Sequence, residues 1–371
     1  MNALAPIPTL LKTKQHFEIL DGLRGVAAVA VVIFHFMEFV TPDYHDNFIA
    51  HSYLAVDFFF CLSGFVIAFA YDNKVEKTGV IQFIKLRLIR LHPLVVTGAL
   101  IGLLTFVFDP YSKLQEAYSA IQTLLMFLSS CLLIPYPVVH ERYFNLFHFN
   151  PPTWSLFWEY IANILYALLL FKLKNSILWI LTLIAAAALS YESYRSGYLG
   201  VGWGGDNFIG GGSRIFYSFL AGMLVYRSNW IIRTRLGFVP IAVLLILAFL
   251  VPYAEQTNTI ADPLLVIFYF PFLIALGAGA QLRSTFVKIC RFLGDISYPL
   301  YMIHYPFLWM YLSYVEVIKP PMSLMALQVP IGVSLLIGLA YIIMLYLDIP
   351  VRKYMKSRYK REYPQEKSVT H

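Results

Sequence analysis

The chain is 371 residues long, 59% hydrophobic and 17% aromatic, with only 13% charged residues and a mean hydropathy of +0.67. A soluble domain carries about twice that share of charge, and a water-soluble globule could not bury so much apolar surface, so the composition points to a protein solvated by a lipid bilayer. The three cysteines, Cys61, Cys131 and Cys290, form no spaced pair, which excludes a disulfide framework and a cysteine zinc site and leaves them as small apolar residues.

In chain order, residues 1–16 are polar, contain Pro6, Pro8, Lys12 and Lys14, and lack the short apolar core of a signal peptide. They read as a cytoplasmic N-terminal segment. Apolar stretches of the about 17–25 residues needed to cross a bilayer follow near 18–40, 52–71, 91–109, 154–171, 176–191, 213–227, 237–253, 262–281, 296–314 and 323–347. A further one at 118–134 ends in Pro135 and Pro137. The expected architecture is all-α and polytopic, with about ten transmembrane helices and one outer re-entrant or interfacial helix. The domain layout follows as 1–16, a transmembrane region over 17–350 and a basic cytoplasmic tail over 351–371.

Charge supports that count, because cytoplasmic loops are enriched in Lys and Arg. With ten crossings, an inner N-terminus and 118–134 not crossing, 22 of the 28 Lys and Arg residues fall inside. Five fall outside (Lys113, Arg142, Arg195, Arg214 and Lys319), and Arg24 sits at the inner mouth of the first span. If 118–134 crossed, Lys172, Lys174 and the tail would move outside and the asymmetry would largely vanish. Both termini are therefore expected in the cytoplasm. The net charge of +7 then reads as a topology signal and membrane-surface contact, and nucleic acid is not an expected partner. The outer loop 191–213 is rich in Gly and Tyr and reads equally as a plain loop or as a sugar-contacting surface.

Ionisable residues inside spans are costly and need partners or a watery cavity. LDGLRGVAAVAVVIFHF places Asp21, Arg24 and His35 on one stripe; Arg24 and His35 lie within about 20° of each other and about 16 Å apart along the axis. YLAVDFFFCLSGFVIAFAY carries Asp57, Ser63 and Gly64. Small-residue packing accounts for Ser63 and Gly64, whereas Asp57 requires a partner such as His35 or a water-filled pocket. IKLRLIRLHP sets Arg87 and Arg90 on one helical face at the inner boundary, a pair of forks suited to phosphate as well as to snorkelling. PPTWSLFWEYIANILYALLL brings Ser155 and Glu159 to one face beside Trp154 and Trp158, a carboxylate expected at the outer rim, where it could bind a hydroxylated acceptor. GDISYPLYMIHYPFLW aligns Ser297, Tyr301 and His304, either as a core network or as part of a site.

Taken together these segments resemble acyltransferase family 3, the inner-membrane O-acyltransferases that modify surface sugars. LDGLRGVAAVAVVIFH resembles the family's opening Arg-to-His stretch and VDFFFCLSGFVI its FF-x-x-SGF block. RLIR resembles its R-x-x-R, WSLFWE its WS-L-x-x-E, and ISYPLYMIHYP its closing S-Y-x-L-Y-x-x-H-x-P. The five blocks occur in order and cover nearly the whole chain. Many members follow the W-S-L block with paired acids, whereas Glu159 stands here between Trp158 and Tyr160; the extra C-terminal esterase-like domain of some members is also not found.

The resemblance implies transfer of an acyl group, expected to be acetyl, from cytoplasmic acetyl-CoA to a hydroxyl of a cell-surface or lipid-linked carbohydrate at the bacterial inner membrane. His35 would be the base, Asp21 or Asp57 would orient it, and Arg24 would position the donor. Arg87 and Arg90 would hold the CoA phosphates. Trp154, Ser155 and Glu159, with Ser297, Tyr301 and His304, would meet the substrate. No metal is called for. The alternative is a transporter or flippase of a glycan or glycolipid, whose sites are also buried charges near the midplane.

Overall fold

The computed structural model describes residues 17–362; the expectations for residues 1–16 and for the tail beyond 362 lie outside the described residues. Among the described residues there are helices and no strand, with two isolated backbone bridges. The main helices are α1 (Glu18–Val40), α2 (Ala55–Tyr71), α3 (Val80–Val107) and α4 (Ala120–Leu132). They continue with α5 (Thr153–Leu168), α6 (Asn175–Ser196), α7 (Phe208–Arg227) and α8 (Phe238–Phe249). The last three are α9 (Glu255–Gly279), α10 (Ser284–Ile318) and α11 (Met322–Arg361).

Seven of these, α1, α2 with its lead-in turn, α3, α6, α7, α9 and α11, are long and apolar enough to cross a membrane, and the protein is an integral membrane protein. Each of the ten expected spans falls on a helix, yet α5, α8 and α10 stand outside the seven. α5 has 16 residues and α8 has 12. α10 runs for 35 residues, and its charge-free part from Ile296 to Ser313 is diluted by tyrosines, prolines and His304. The stretch at 118–134 becomes α4, whose 13 residues reach about 20 Å, short of a hydrocarbon core of about 30 Å. Ser119 opens it with a capping box to Gln122, and Leu133 in the left-handed conformation closes it. The boundary expected at 350/351 falls inside α11, which continues unbroken to Arg361.

Two helix pairs position the functional groups. α1 and α10 run side by side in the same direction: Arg24 reaches Gly294 and Ser297 at one level, and His35 meets His304 and Tyr305 further along. Pro306 lies inside α10 and has no N–H for the carbonyl of Met302; Asn150 Nδ2 takes that carbonyl instead, at 2.8 Å, tying the segment before α5 to the kink. α2 and α7 touch backbone to backbone. A Cβ on Gly64 would strike the Phe219 carbonyl, and one on Gly222 would strike the Cys61 carbonyl, so each helix gives the other a glycine to lie against.

Between α4 and α5 the chain returns across the end of the bundle. Leu146 donates to the Trp203 carbonyl and Gly205 to that of Phe144, so the 133–152 segment and the glycine-rich loop roof the site together. His148 is fully covered there. Burial, then the charge of Arg142, push it down to about 3, so it serves as a neutral ring stacked on Trp309.

Candidate active site

His35 lies on the fifth turn of α1, beside its i+3 neighbour Glu38. Its Nδ1 sits 2.5 Å from Glu38 Oε2, and the other carboxylate oxygen accepts from the Tyr44 hydroxyl at 2.6 Å. A carboxylate only accepts, so Nδ1 carries a proton, and in the neutral ring the lone pair is on Nε2. Tyr44 stands in the loop after α1; burial, then the Glu38 charge, raise its phenol well above the ordinary value, and it remains a donor at any working pH. Behind His35, His304 stacks at 5.4 Å between ring centroids. The His304 Nδ1 faces the carbonyls of Leu300 and Tyr301, which makes it the donor; its Nε2 is buried without a partner, so the ring is neutral.

His35 and Glu38 open into a cavity of about 300 Å³ walled by aromatic rings, among them Phe34, Tyr53, Tyr143, Trp154, Trp203 and Tyr305. Among its lining residues Glu38 is the sole carboxylate and Arg214 the sole Lys or Arg. Arg214 offers no free charge. It is 1% exposed and donates to both oxygens of Asp57 and to the carbonyls of Val201 and Tyr53, with its guanidinium over Trp154.

A second cavity of about 550 Å³ lies toward the start of α1 and is lined by Asp21, Arg24, Arg87, Arg90, Glu159, Ser297, Asp348 and Arg352. Arg24 donates to Ser297 Oγ at 2.8 Å and pairs with Asp21 at 3.2 Å. Arg87 pairs with Glu159 at 3.1 Å, and Glu159 also accepts from Ser63 and Asn163. The two cavities share Val56 and Tyr301 as wall. The Tyr301 hydroxyl is bonded there to Ser155 Oγ at 2.9 Å.

Several expectations change against this geometry. Glu159 does not stand at an outer rim. It lies two turns, about 10 Å, into α5 and Arg87 lies two turns into α3, so the two meet in the arginine-lined cavity rather than in the aromatic one. Asp57 finds its partner in Arg214, 157 positions along, rather than in His35. Asp21 pairs with Arg24, and the carboxylate at His35 is Glu38. Trp154 lines the aromatic cavity, Ser155 and Ser297 line the arginine cavity, Tyr301 lines both, and His304 backs His35. Glu38, Tyr44, Tyr305 and Arg214 were missed from sequence. The spacing H-x-x-E was available as a signal for Glu38, whereas Arg214 was counted only as an outer charge. Among the described residues no three His, Cys, Asp or Glu side chains converge as metal ligands would.

A helical membrane protein with an imidazole–carboxylate pair in one cavity and arginines in a second, sharing a wall, has room for two different reactants side by side. The chain belongs to acyltransferase family 3: the acyltransferase-domain model of that family matches residues 17–345. It is 25% identical over 368 residues to the O-acetyltransferase OatA of Staphylococcus aureus, covering 90% of this chain and 57% of OatA. It is 35% identical over 162 residues to protein 2 in the picA locus of Rhizobium radiobacter, covering 41% of this chain and 82% of that protein. The chain thus spans little more than half the length of OatA. No solved structure matches it.

Proposed function

We propose that this acyltransferase moves an acetyl group from acetyl-CoA at the cytoplasmic face to a hydroxyl of a cell-surface or lipid-linked carbohydrate on the other side of the bacterial inner membrane. The observation that carries the reading is the pair of cavities with a common wall at Val56 and Tyr301, arginine-rich on one side and aromatic with a positioned imidazole on the other. Arginine forks suit the phosphates of CoA, and Arg90, which has no hydrogen bond or ion pair among those found for the described residues, is free for one. Aromatic faces and a single carboxylate suit a neutral sugar better than an anionic one. The assignment of cytoplasm to the arginine side rests on the charge count, and the ten crossings belong to the same proposal. The name of OatA supports acetyl as the group transferred.

In the reaction, His35 Nε2 accepts the proton of the acceptor hydroxyl as the oxygen attacks the thioester carbonyl. The tetrahedral intermediate collapses with cleavage of the carbon–sulfur bond. The thiolate leaves and takes the proton back from the imidazolium, giving the ester and free CoA. Glu38 holds Nδ1–H and balances the transient positive charge, as a buried carboxylate does behind a catalytic histidine. His304, neutral and stacked on the ring, adds no opposing charge. Arg24, Arg87 and Arg90 hold the donor, Trp154 and Tyr305 face the acceptor, and Tyr301 with its partner Ser155 stands at the wall the acyl group has to cross.

The test is mass spectrometry of surface glycans from cells with and without the protein, and with His35→Ala. Acetyl esters should appear with the wild-type protein and disappear with the variant at equal membrane abundance. Acetylation undiminished by His35→Ala would remove the base and with it the mechanism.

A further inference from the structure

The arginine-lined cavity draws on a part of the chain that lies past the family-matched residues, which end at 345. In α11 the helix widens into a π turn over Met344–Asp348. The cause is local: Pro350 has no N–H to return to the Tyr346 carbonyl, and a wider turn absorbs the missing bond. Asp348, 2% exposed, and Arg352, one turn on, both line the cavity, and they pair at 2.5 Å.

That pairing leaves part of each group unused. Arg352 Nε and Asp348 Oδ1 are both buried without a hydrogen-bond partner, as is Arg87 Nε. One carboxylate oxygen holds one guanidinium nitrogen, while the remaining donors of Arg352 have nothing among the described residues to bind. A buried guanidinium Nε–H without a partner is costly, and it fits a site completed by an anion. The Arg352 side chain is 31% exposed against 11% for Arg87, which sets Arg352 nearer the mouth and Arg87 deeper.

We propose that Arg352, oriented by Asp348 on the π turn, binds the 3′-phosphate of the CoA donor. This rests on the reading of acetyl-CoA as donor. The 3′-phosphate is the phosphate of CoA most remote from the reactive thioester, so a cation at the mouth meets it while Arg87 and Arg90 take the diphosphate next to the pantetheine arm. A phosphate ester is the shared chemistry of CoA and of anionic lipid headgroups, and the experiment separates the two.

Full-length protein in phosphatidylcholine nanodiscs is titrated with acetyl-CoA and with 3′-dephospho-acetyl-CoA. The wild-type protein should bind acetyl-CoA about tenfold more tightly, the scale of one charge-assisted contact. Arg352→Ala should weaken acetyl-CoA to the level of the dephospho compound and leave the latter's affinity unchanged. Arg352→Lys, which keeps the charge but not the fork, should retain part of the preference. Equal losses for both thioesters in Arg352→Ala would make the residue structural and overturn the proposal, as would no loss for either. Repeating the titration in phosphatidylglycerol discs tests the lipid source: a preference that Arg352 confers only through competition with that lipid would assign the site to a headgroup instead. Failure of the donor reading itself is distinguishable, because the wild-type protein would then bind neither thioester and both proposals would fall together.

Discussion

Glu38 decides which nitrogen of His35 can act as a base, because a carboxylate at 2.5 Å from Nδ1 fixes the proton there. Glu38→Gln cannot satisfy both His35 and Tyr44 as a pure acceptor, since half of its amide is a donor. Turnover should fall by about 10²-fold with little change in the KM for the donor, measured in steady-state kinetics on reconstituted protein. An unchanged kcat would show that His35 does not need the carboxylate. Asp57 and Arg214 make a different kind of pair, closed to solvent at 0% and 1% exposure. Removing one charge strands the other, so Asp57→Ala should destabilise the fold by about 3–5 kcal/mol. Asp57→Ala combined with Arg214→Met should recover much of that loss in thermal unfolding; a double variant as unstable as the single one would mean the hydrogen bonds to Val201 and Tyr53 matter more than the charge.

At the scale of elements, the contact of α2 with α7 sets the wall that carries Asp57 and Arg214. Because Gly222 lies against the Cys61 carbonyl and Gly64 against that of Phe219, a larger residue must push the helices apart. Gly222→Leu should lower the melting temperature and the yield of folded protein in detergent, whereas Gly338→Leu, at a glycine with open space around it, should change neither. How much of this was legible in the sequence follows from the range of each interaction. The His35 stripe on α1 and the Arg87/Arg90 pair on α3 are spacings within one helix, and periodicity alone brings them out. The partner of Asp57 is 157 positions away, which no local pattern encodes. The Arg87–Glu159 pair escapes a local reading for a related reason: Glu159 sits two turns into α5, and that depth carries the carboxylate to an arginine 72 positions earlier in the chain. The Asp348–Arg352 pair depends on a π turn, invisible to a reading that assumes 3.6 residues per turn.

For the whole molecule, the two cavities give the protein a direction, and the orientation proposed from the positive-inside count is open to test. In a variant lacking its native cysteines, Tyr143→Cys at the aromatic cavity should react with a membrane-impermeant maleimide from the outside of intact cells. Lys356→Cys on α11 should react only after permeabilisation. Labelling of both from one side would overturn the crossing count and the donor–acceptor assignment with it.

The parallel contact of α1 with α10 has a consequence for how the protein is made. Arg24 and its partner Ser297 are 273 positions apart, so the first helix enters the bilayer long before the helix that completes its polar stripe has been synthesised. Until then Arg24 lacks Ser297 and Gly294, and His35 lacks the ring stacked behind it, in surroundings where unpaired polar groups are expensive. Biogenesis therefore needs the insertion machinery, or early neighbours such as α2, to shelter α1 for most of translation. An unfinished chain cannot assemble this polar stripe until α10 has joined α1.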